Sequence, residues 1–460
     1  MKTKMIDSMN RAENRKVLDC ASPLALSNWP RSPQKRQRTG PVQEAFAPTL
    51  FLPLAFACAL ALLTHATFAQ TWQTVDDFQY VTGSRAVANG LAADAQGNIY
   101  AAGWGEDASQ AFHGLVMRSG DQGTNWATVL DFNYLPGFDI SAFTALAFDS
   151  AQNLYAAGVA EDGSGTNNSH WLVLKSPDYG TTWVAVMDVN FPSYADPQPI
   201  ITPVIGPAYI AGDSSGNVFA VLGNIQDRAN YWVVRRSSDA GAHWTTVDTY
   251  TNGQVARAIV CAPSGIFVAG FRNGPWGVVR KSADGGLTWK TVDVYNYPIA
   301  KSQSFYGWGD GLTSMCLLPS GDLYAGGWAT VGPKNGRSST NYWVVRKGSN
   351  GGTSWQTVAS FPVSINSGYV GGGVPATITA LGADGLGNLF AGGYAANSWL
   401  VLQSANQGVA WSTADNFQYS NLGAAAESFG SDSSGNLYFG GYADDSAGAM
   451  HWIVRKHAAQ

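Results

Sequence analysis

Short stretches in which apolar and polar residues alternate every second position run through most of this chain, separated by turns rich in Gly, Asn, Asp and Ser. Residues 143–149 read Phe, Thr, Ala, Leu, Ala, Phe, Asp; residues 150–153 turn, and 154–159 return as a second apolar run. A period of two bounded by turn residues predicts strands joined by tight hairpins. A variable loop then leads to a third run at 170–175, a turn at 176–183 and a fourth strand from Trp183 to Val189. The unit predicted over 141–188 is a four-stranded antiparallel meander.

The unit recurs. Inner turns fall at Gly97-Asn98, Gln152-Asn153, Gly216-Asn217, Gly265-Ile266, Gly321-Asp322, Gly387-Asn388 and Gly435-Asn436, where Gly and Asn are expected to supply positive φ. Third strands recur from His113, His170, Tyr231, Trp276, Tyr342, Ser398 and His451, and fourth strands from Trp72, Trp126, Trp183, Trp244, Trp289, Trp355 and Trp411. Sheets repeated in this way bury their faces against their neighbours. The predicted fold class is all-β: a seven-bladed β-propeller of four-stranded antiparallel blades, with residues 70–460 as a single domain. The chain ends after a third strand, while Thr71–Tyr80 stands alone as a fourth. The N-terminal strand is therefore expected to close the ring by pairing with the C-terminal blade, because open edges invite aggregation.

Composition agrees with many short strands: 53 Gly, 13% charged and 12% aromatic residues suit neither a helical bundle nor a disordered chain. Residues 1–69 break the pattern. Arg31, Lys35, Arg36 and Arg38 precede an apolar run from Leu50 to Leu63, and Thr67, Phe68 and Ala69 follow with small residues at the cleavage positions. This reads as a signal peptide or leader, giving a secreted or periplasmic protein with no stable membrane insertion after cleavage. The run is short for a span and holds Pro53, and a retained anchor is the competing reading. The leader carries nine of the 27 Lys and Arg but four of the 32 Asp and Glu, so its removal leaves a chain more acidic than the overall −5. A dispersed acidic surface argues against nucleic acid or anionic membrane as partner. Cys261 and Cys316 fall on corresponding first strands one position out of register, and are expected to be buried thiols rather than a disulfide.

The turn from third to fourth strand follows Ser-x-Asp-x-Gly-x-x-Trp in four copies: Ser119/Asp121/Gly123/Trp126, Ser176/Asp178/Gly180/Trp183, Ser237/Asp239/Gly241/Trp244 and Ser282/Asp284/Gly286/Trp289. Two worn copies carry Gly348/Asn350 and Ser404/Asn406. This resembles the Asp-box, or bacterial neuraminidase repeat, of the sialidase and sortilin-like propellers. A role repeated four times is structural: the carboxylate accepts N–H bonds across its own turn, Gly takes the left-handed position and Trp covers it.

Chain direction puts the inner turns and the Asp turns at one end of every sheet. The loops of variable length, such as 188–208 and 293–311, lie at the other end, where binding is expected. The paired aromatics Phe78/Tyr80, Phe132/Tyr134, Tyr295/Tyr297 and Phe417/Tyr419 recur and are expected to pack between sheets. Residues that break the repeat are better ligand-binding candidates: Tyr194, Asp196, Tyr306, Trp308 and Asp310 combine flat apolar surface with carboxylates, which suits a sugar or peptide. The first strands are expected to line a mouth through Asn89, Thr144, Tyr209, Arg257, Ser314, Thr379 and Glu427, a set with one acid.

The resemblance to sialidases implies an Arg triad, a Tyr/Glu nucleophile and an Asp acid, but the early Arg-Ile-Pro motif is missing and the Arg residues are scattered. Metal-site spacing, a phosphate-cradling Gly loop and a nucleophile elbow are also missing, so no metal and no cofactor are expected. The leading expectation is a monomeric, non-catalytic binder of a glycan, cell-envelope component or protein. Its alternative is an extracellular sialidase-like glycoside hydrolase or polysaccharide lyase with Asp310 and Glu427 as catalytic carboxyls.

Overall fold

Period-two alternation does form strands here. The computed structural model describes residues 71–459 apart from 136–139, 162–167, 193–207, 227–228, 273–275, 301–302, 334–339 and 364–375. The leader, Tyr194 and Asp196 lie outside the described residues. Among those residues there are 28 strands and no helix.

In chain order the strands are β1 (Gln73–Phe78), β2 (Ala86–Ala93), β3 (Ile99–Glu106), β4 (Phe112–Ser119), β5 (Ala127–Phe132), β6 (Ile140–Phe148), β7 (Leu154–Glu161), β8 (Asn168–Ser176) and β9 (Val184–Pro192). They continue as β10 (Ala208–Gly212), β11 (Val218–Gln226), β12 (Ala229–Ser237), β13 (Thr245–Tyr250), β14 (Gly253–Ala262), β15 (Gly265–Arg272), β16 (Trp276–Ser282), β17 (Lys290–Tyr295), β18 (Gln303–Leu317) and β19 (Leu323–Pro333). The last are β20 (Thr340–Ser349), β21 (Ser354–Val363), β22 (Ala376–Ala383), β23 (Leu389–Ala395), β24 (Ser398–Ser404), β25 (Ser412–Phe417), β26 (Ala424–Ser431), β27 (Leu437–Asp444) and β28 (Met450–His457).

From β2 onward the strands pair antiparallel with their chain neighbours in successive groups of four. The groups starting at β2 and β6 touch through one parallel contact, Phe112 with Ile140. The group starting at β26 is completed by β1, which pairs with β28 from Gln73 opposite Lys456 to Phe78 opposite Trp452. First strands of successive sheets pack on each other, β2 on β6, β6 on β10, and so on through β14, β18, β22 and β26, and β26 packs on β2.

The core lies between the sheets. A fully buried third-strand Trp recurs as Trp171, Trp232, Trp343, Trp399 and Trp452, each packed against the sheet that follows it, as Trp452 is against Ala86, Ala101 and Leu115. Burying such a ring is worth roughly 2–3 kcal/mol. Cys316 is buried and Cys261 half-buried; both are free thiols, in separate apolar clusters.

The inner turns correct one expectation. Positive φ belongs to Gly97, Gln152, Gly216, Gly265, Gly321, Gly387 and Gly435, and to none of the Asn residues beside them. Asn serves instead through its side chain: Asn153 Nδ2 donates to Asp149 Oδ2 at 2.7 Å, and the Tyr155 hydroxyl donates to the same oxygen at 3.0 Å.

Charge pairs clip neighbouring sheets. Arg280 of β16 donates twice to Asp248 of β13, both at 2.7 Å. Arg346 of β20 meets Asp293 of β17 at 2.6 and 2.7 Å, and Arg455 of β28 meets Asp415 of β25 at 2.6 and 2.8 Å. Each Arg also lies over an aromatic ring, Tyr250, Tyr295 or Phe417. Two positions of the series are mismatched. Asp76 holds the acidic position on β1, but β4 carries Met117 where the three clips carry Arg, and Asp76 Oδ2 is buried without a partner. Arg235 of β12 faces the reverse case, with Met187 at the acidic position of β9 and its own Nε buried and unpartnered.

Burial, reinforced by the Asp77 charge, pushes the Asp76 carboxyl up to about 7. Its neutral form suits the fold, so its contribution is fully present below the unfolded value of 3.8 and is lost as pH rises through about 7. Asp76→Asn is expected to raise stability at neutral pH by on the order of 1–3 kcal/mol and to flatten the decline between those limits. Urea denaturation across the pH range checks it; an unchanged slope would refute the assignment.

Candidate functional site

Six of the first strands carry one residue more than the second strands they pair with. The register skips a residue between Ala88 and Gly90, Phe143 and Ala145, Ala256 and Ala258, Leu312 and Ser314, Ile378 and Ala380, and Ala426 and Ser428. The bulged residues are Asn89, Thr144, Arg257, Thr313, Thr379 and Glu427, and a bulge re-aims a side chain out of the pleat. These six, with Tyr209 of β10, line one small cavity of about 120 Å³.

Glycine permits the bulges. A Cβ at Gly103, Gly158, Gly270, Gly327, Gly393 or Gly441 would overlap the carbonyl oxygen of Val87, Ala142, Val255, Gly311, Thr377 or Ala425, in each case two residues before the bulge. Where a second glycine precedes, it serves the next sheet: a Cβ at Gly326 would press on Ile378, and one at Gly392 on Phe439. Side chains then link bulge to bulge. Asn89 Nδ2 donates to Phe143 O at 3.1 Å, and the Thr313 and Thr379 hydroxyls donate to Ile378 O and Ala426 O.

Three titratable groups face the cavity. Glu427 is set deep in the protein with part of its surface open to the cavity. Burial raises its carboxyl to about 7, against an opposing pull from the Arg257 charge. Burial also raises the Tyr209 hydroxyl, opposed by the charge of Arg257 and a hydrogen bond from it. Arg257 makes no ion pair with Glu427, and its Nε is buried without a partner. A carboxyl that titrates near 7 can both donate and accept a proton at neutral pH.

The candidates from sequence are not assembled into one site. Asp310 is fully buried and does not line the cavity; its Oδ2 accepts the Tyr297 N–H at 2.6 Å while Oδ1 has no partner, and burial raises its carboxyl to about 7. Asp310 and Glu427 are thus not brought together. Tyr306 and Trp308 fall in β18 at the register jump between Phe305 and Asp310, where the backbone alone is described. At the mouth, Thr313 replaces the expected Ser314, because the bulge shifts the register by one.

The four Ser-x-Asp-x-Gly turns share one geometry. Ser119 Oγ donates to Asp121 and accepts Gly123 N–H at 2.8 Å, and Asp121 accepts Asn125 N–H at 2.8 Å. Asp178, Asp239 and Asp284 accept Thr182, His243 and Thr288 N–H in the same way, with Gly180, Gly241 and Gly286 at positive φ. Trp126 Nε1 and Trp183 Nε1 donate to Val75 O and Val129 O, tying each turn to the preceding sheet, while Trp289 Nε1 bonds Gly286 O within its own turn. Trp244 Nε1 has no partner.

One network escaped the sequence reading, which placed its His at third-strand starts and its Tyr between sheets without joining them. His113, His170 and His451 hold Asp131, Asp188 and Asp77 at 2.7 Å, and Tyr80, Tyr134 and Tyr419 from the preceding sheets donate to the same carboxylates. The signal was a His in the third strand paired with an Asp in the fourth; repetition again marks it as scaffold. Among the described residues, no group of three or more His, Cys, Asp and Glu could hold a metal ion.

Gly441→Ala is expected to destabilise the protein by about 1–3 kcal/mol through the clash with Ala425 O, and to move the Glu427 titration seen by NMR. A variant with wild-type stability and titration would show that the bulge does not need this glycine.

No family model matches the chain, and no curated protein matches it. Solved structures do. An α-L-arabinofuranosidase of Fusarium graminearum, in complex with arabinobiose, superposes with a TM-score of 0.51 at 13% identity, covering 85% of this chain and 98% of its own. An α-L-arabinanase of Penicillium chrysogenum, also complexed with arabinobiose, gives 0.50 at 12% identity over 84% and 97%. At these identities the likeness is one of fold: this chain shares the all-β propeller architecture found in these glycoside hydrolases.

Proposed function

We propose that the four-stranded sheets are seven blades of a ring closed by β1 on β28, and that the Ser-x-Asp-x-Gly-x-x-Trp turns are its Asp-box repeats. The succession of first-strand contacts that returns from β26 to β2 supports this, as does a cavity to which seven first strands each contribute one side chain. The leader and the acidic remainder suit an exported protein that acts outside the cytoplasm.

On this ring the protein is a glycoside hydrolase with its site in the inner cavity. The observation that carries the reading is Glu427, an acid raised to about 7 on a bulge that turns it toward Arg257 and Tyr209. Protonated, Glu427 is a general acid for a departing sugar oxygen. Tyr209 is the group placed to meet the sugar from across the cavity, and Arg257 holds its hydroxyl. The arabinan-active neighbours make arabinosides the first substrates to try.

A second reading, binding of a glycan without turnover, has its own support. Among the described residues Glu427 is the one carboxyl on the cavity, whereas hydrolysis by paired carboxylates requires two.

A panel of aryl glycosides that includes α-L-arabinofuranosides separates the readings. Turnover is expected, lowered at least about 100-fold in Glu427→Gln, with kcat/KM falling as pH rises through about 7 because the active form is protonated. Glycan binding with a flat response on every glycoside would leave the second reading standing and remove the first.

A further inference from the structure

The charge on the cavity changes with the protonation of one group. Among the described residues, the titratable side chains there are Tyr209, Arg257 and Glu427, and the strands packed on β26, namely β2, β22, β23, β24 and β27, bring no other to it. Arg257 and Glu427 stand on β14 and β26, three first strands apart by way of β18 and β22 and four by way of β10, β6 and β2. They sit on opposite walls with no ion pair between them. With Glu427 ionised the lining is neutral and an entering anion meets a carboxylate; with Glu427 protonated the lining carries a net positive charge.

The supply of hydrogen-bond donors narrows the ligand further. Asn89, Thr313 and Thr379 direct their donors to backbone carbonyls of the next first strand. What remains for a ligand is the Tyr209 hydroxyl, the Arg257 guanidinium where it faces the cavity, and a Glu427 hydroxyl when it exists. A buried cation with open donors is costly to leave unmatched and gains most from a planar anion.

We propose that the cavity is an anion site coupled to a proton: a small carboxylate-bearing molecule binds the Arg257 guanidinium, and Glu427 takes up one proton from solvent as it enters. The inference goes beyond hydrolysis, since it holds whether the ligand is turned over or kept. The raised Glu427 carboxyl places the effect near neutrality.

Calorimetric titration of the full chain with D-glucuronate, with D-glucose as the neutral control, tests it in two buffers of different ionisation heat. Glucuronate is expected to bind at least about tenfold more tightly than glucose below pH ~7, and to weaken by up to about tenfold per pH unit above it with uptake approaching one proton. Glu427→Gln is expected to bind at about pH 8 as the wild type does at about pH 5.5, with no proton uptake. Arg257→Met is expected to lose about tenfold or more at every pH, and Arg257→Lys, which keeps the charge, to recover part of it. Wild-type binding that is flat in pH, equal affinity for glucose, no glucuronate binding, or an unaltered pH profile in a folded Glu427→Gln protein would overturn the proposal. Turnover of neutral glycosides is read separately, so either idea can fail alone.

Discussion

The structure depends on close approach of backbone to backbone where the first strands meet. A carbonyl two residues ahead of each bulge occupies the space a Cβ would take on the second strand, so glycine is required there and the extra residue turns its side chain out of the pleat. One steric condition, met in six sheets, thereby decides which side chain each contributes to the cavity. The cavity's chemistry is then set by what stands at those positions: mostly neutral Thr and Asn, with Tyr209, Arg257 and Glu427 as departures.

Between the sheets the adhesion is of two kinds. Third-strand Trp rings supply the non-directional part by burial. The Arg–Asp clips add direction, since a guanidinium fork fits a carboxylate in one orientation. Buried ion pairs contribute little net stability but penalise the loss of one partner heavily. Asp76 and Arg235 are two such half-pairs, where Met117 and Met187 stand at the positions that in the three clips carry the opposite charge.

Repetition made the fold legible and the site nearly illegible. Strands, turns and the Ser-x-Asp-x-Gly geometry follow from local patterns of two to eight residues, and these are read directly. Thr313 was misplaced by one because a bulge adds a residue without changing the alternation that marks a strand. Asp310 looked available because it is an acid next to an aromatic loop; its complete burial depends on packing from β17, β19 and β20, which local pattern does not contain. Glu427 was identifiable as a lone acid among neutral counterparts, but its raised acidity range depends on a desolvated cavity assembled from seven strands.

The pairing of β1 with β28 joins segments 381 residues apart at the Arg455–Thr74 contact. A ribosome makes the first of these long before the second. During synthesis β1 has an unsatisfied edge until β28 emerges. The sheet that joins them therefore tests whether β28 has been made: a chain truncated or stalled before it cannot form that sheet, and exposes the edge on which another chain could template.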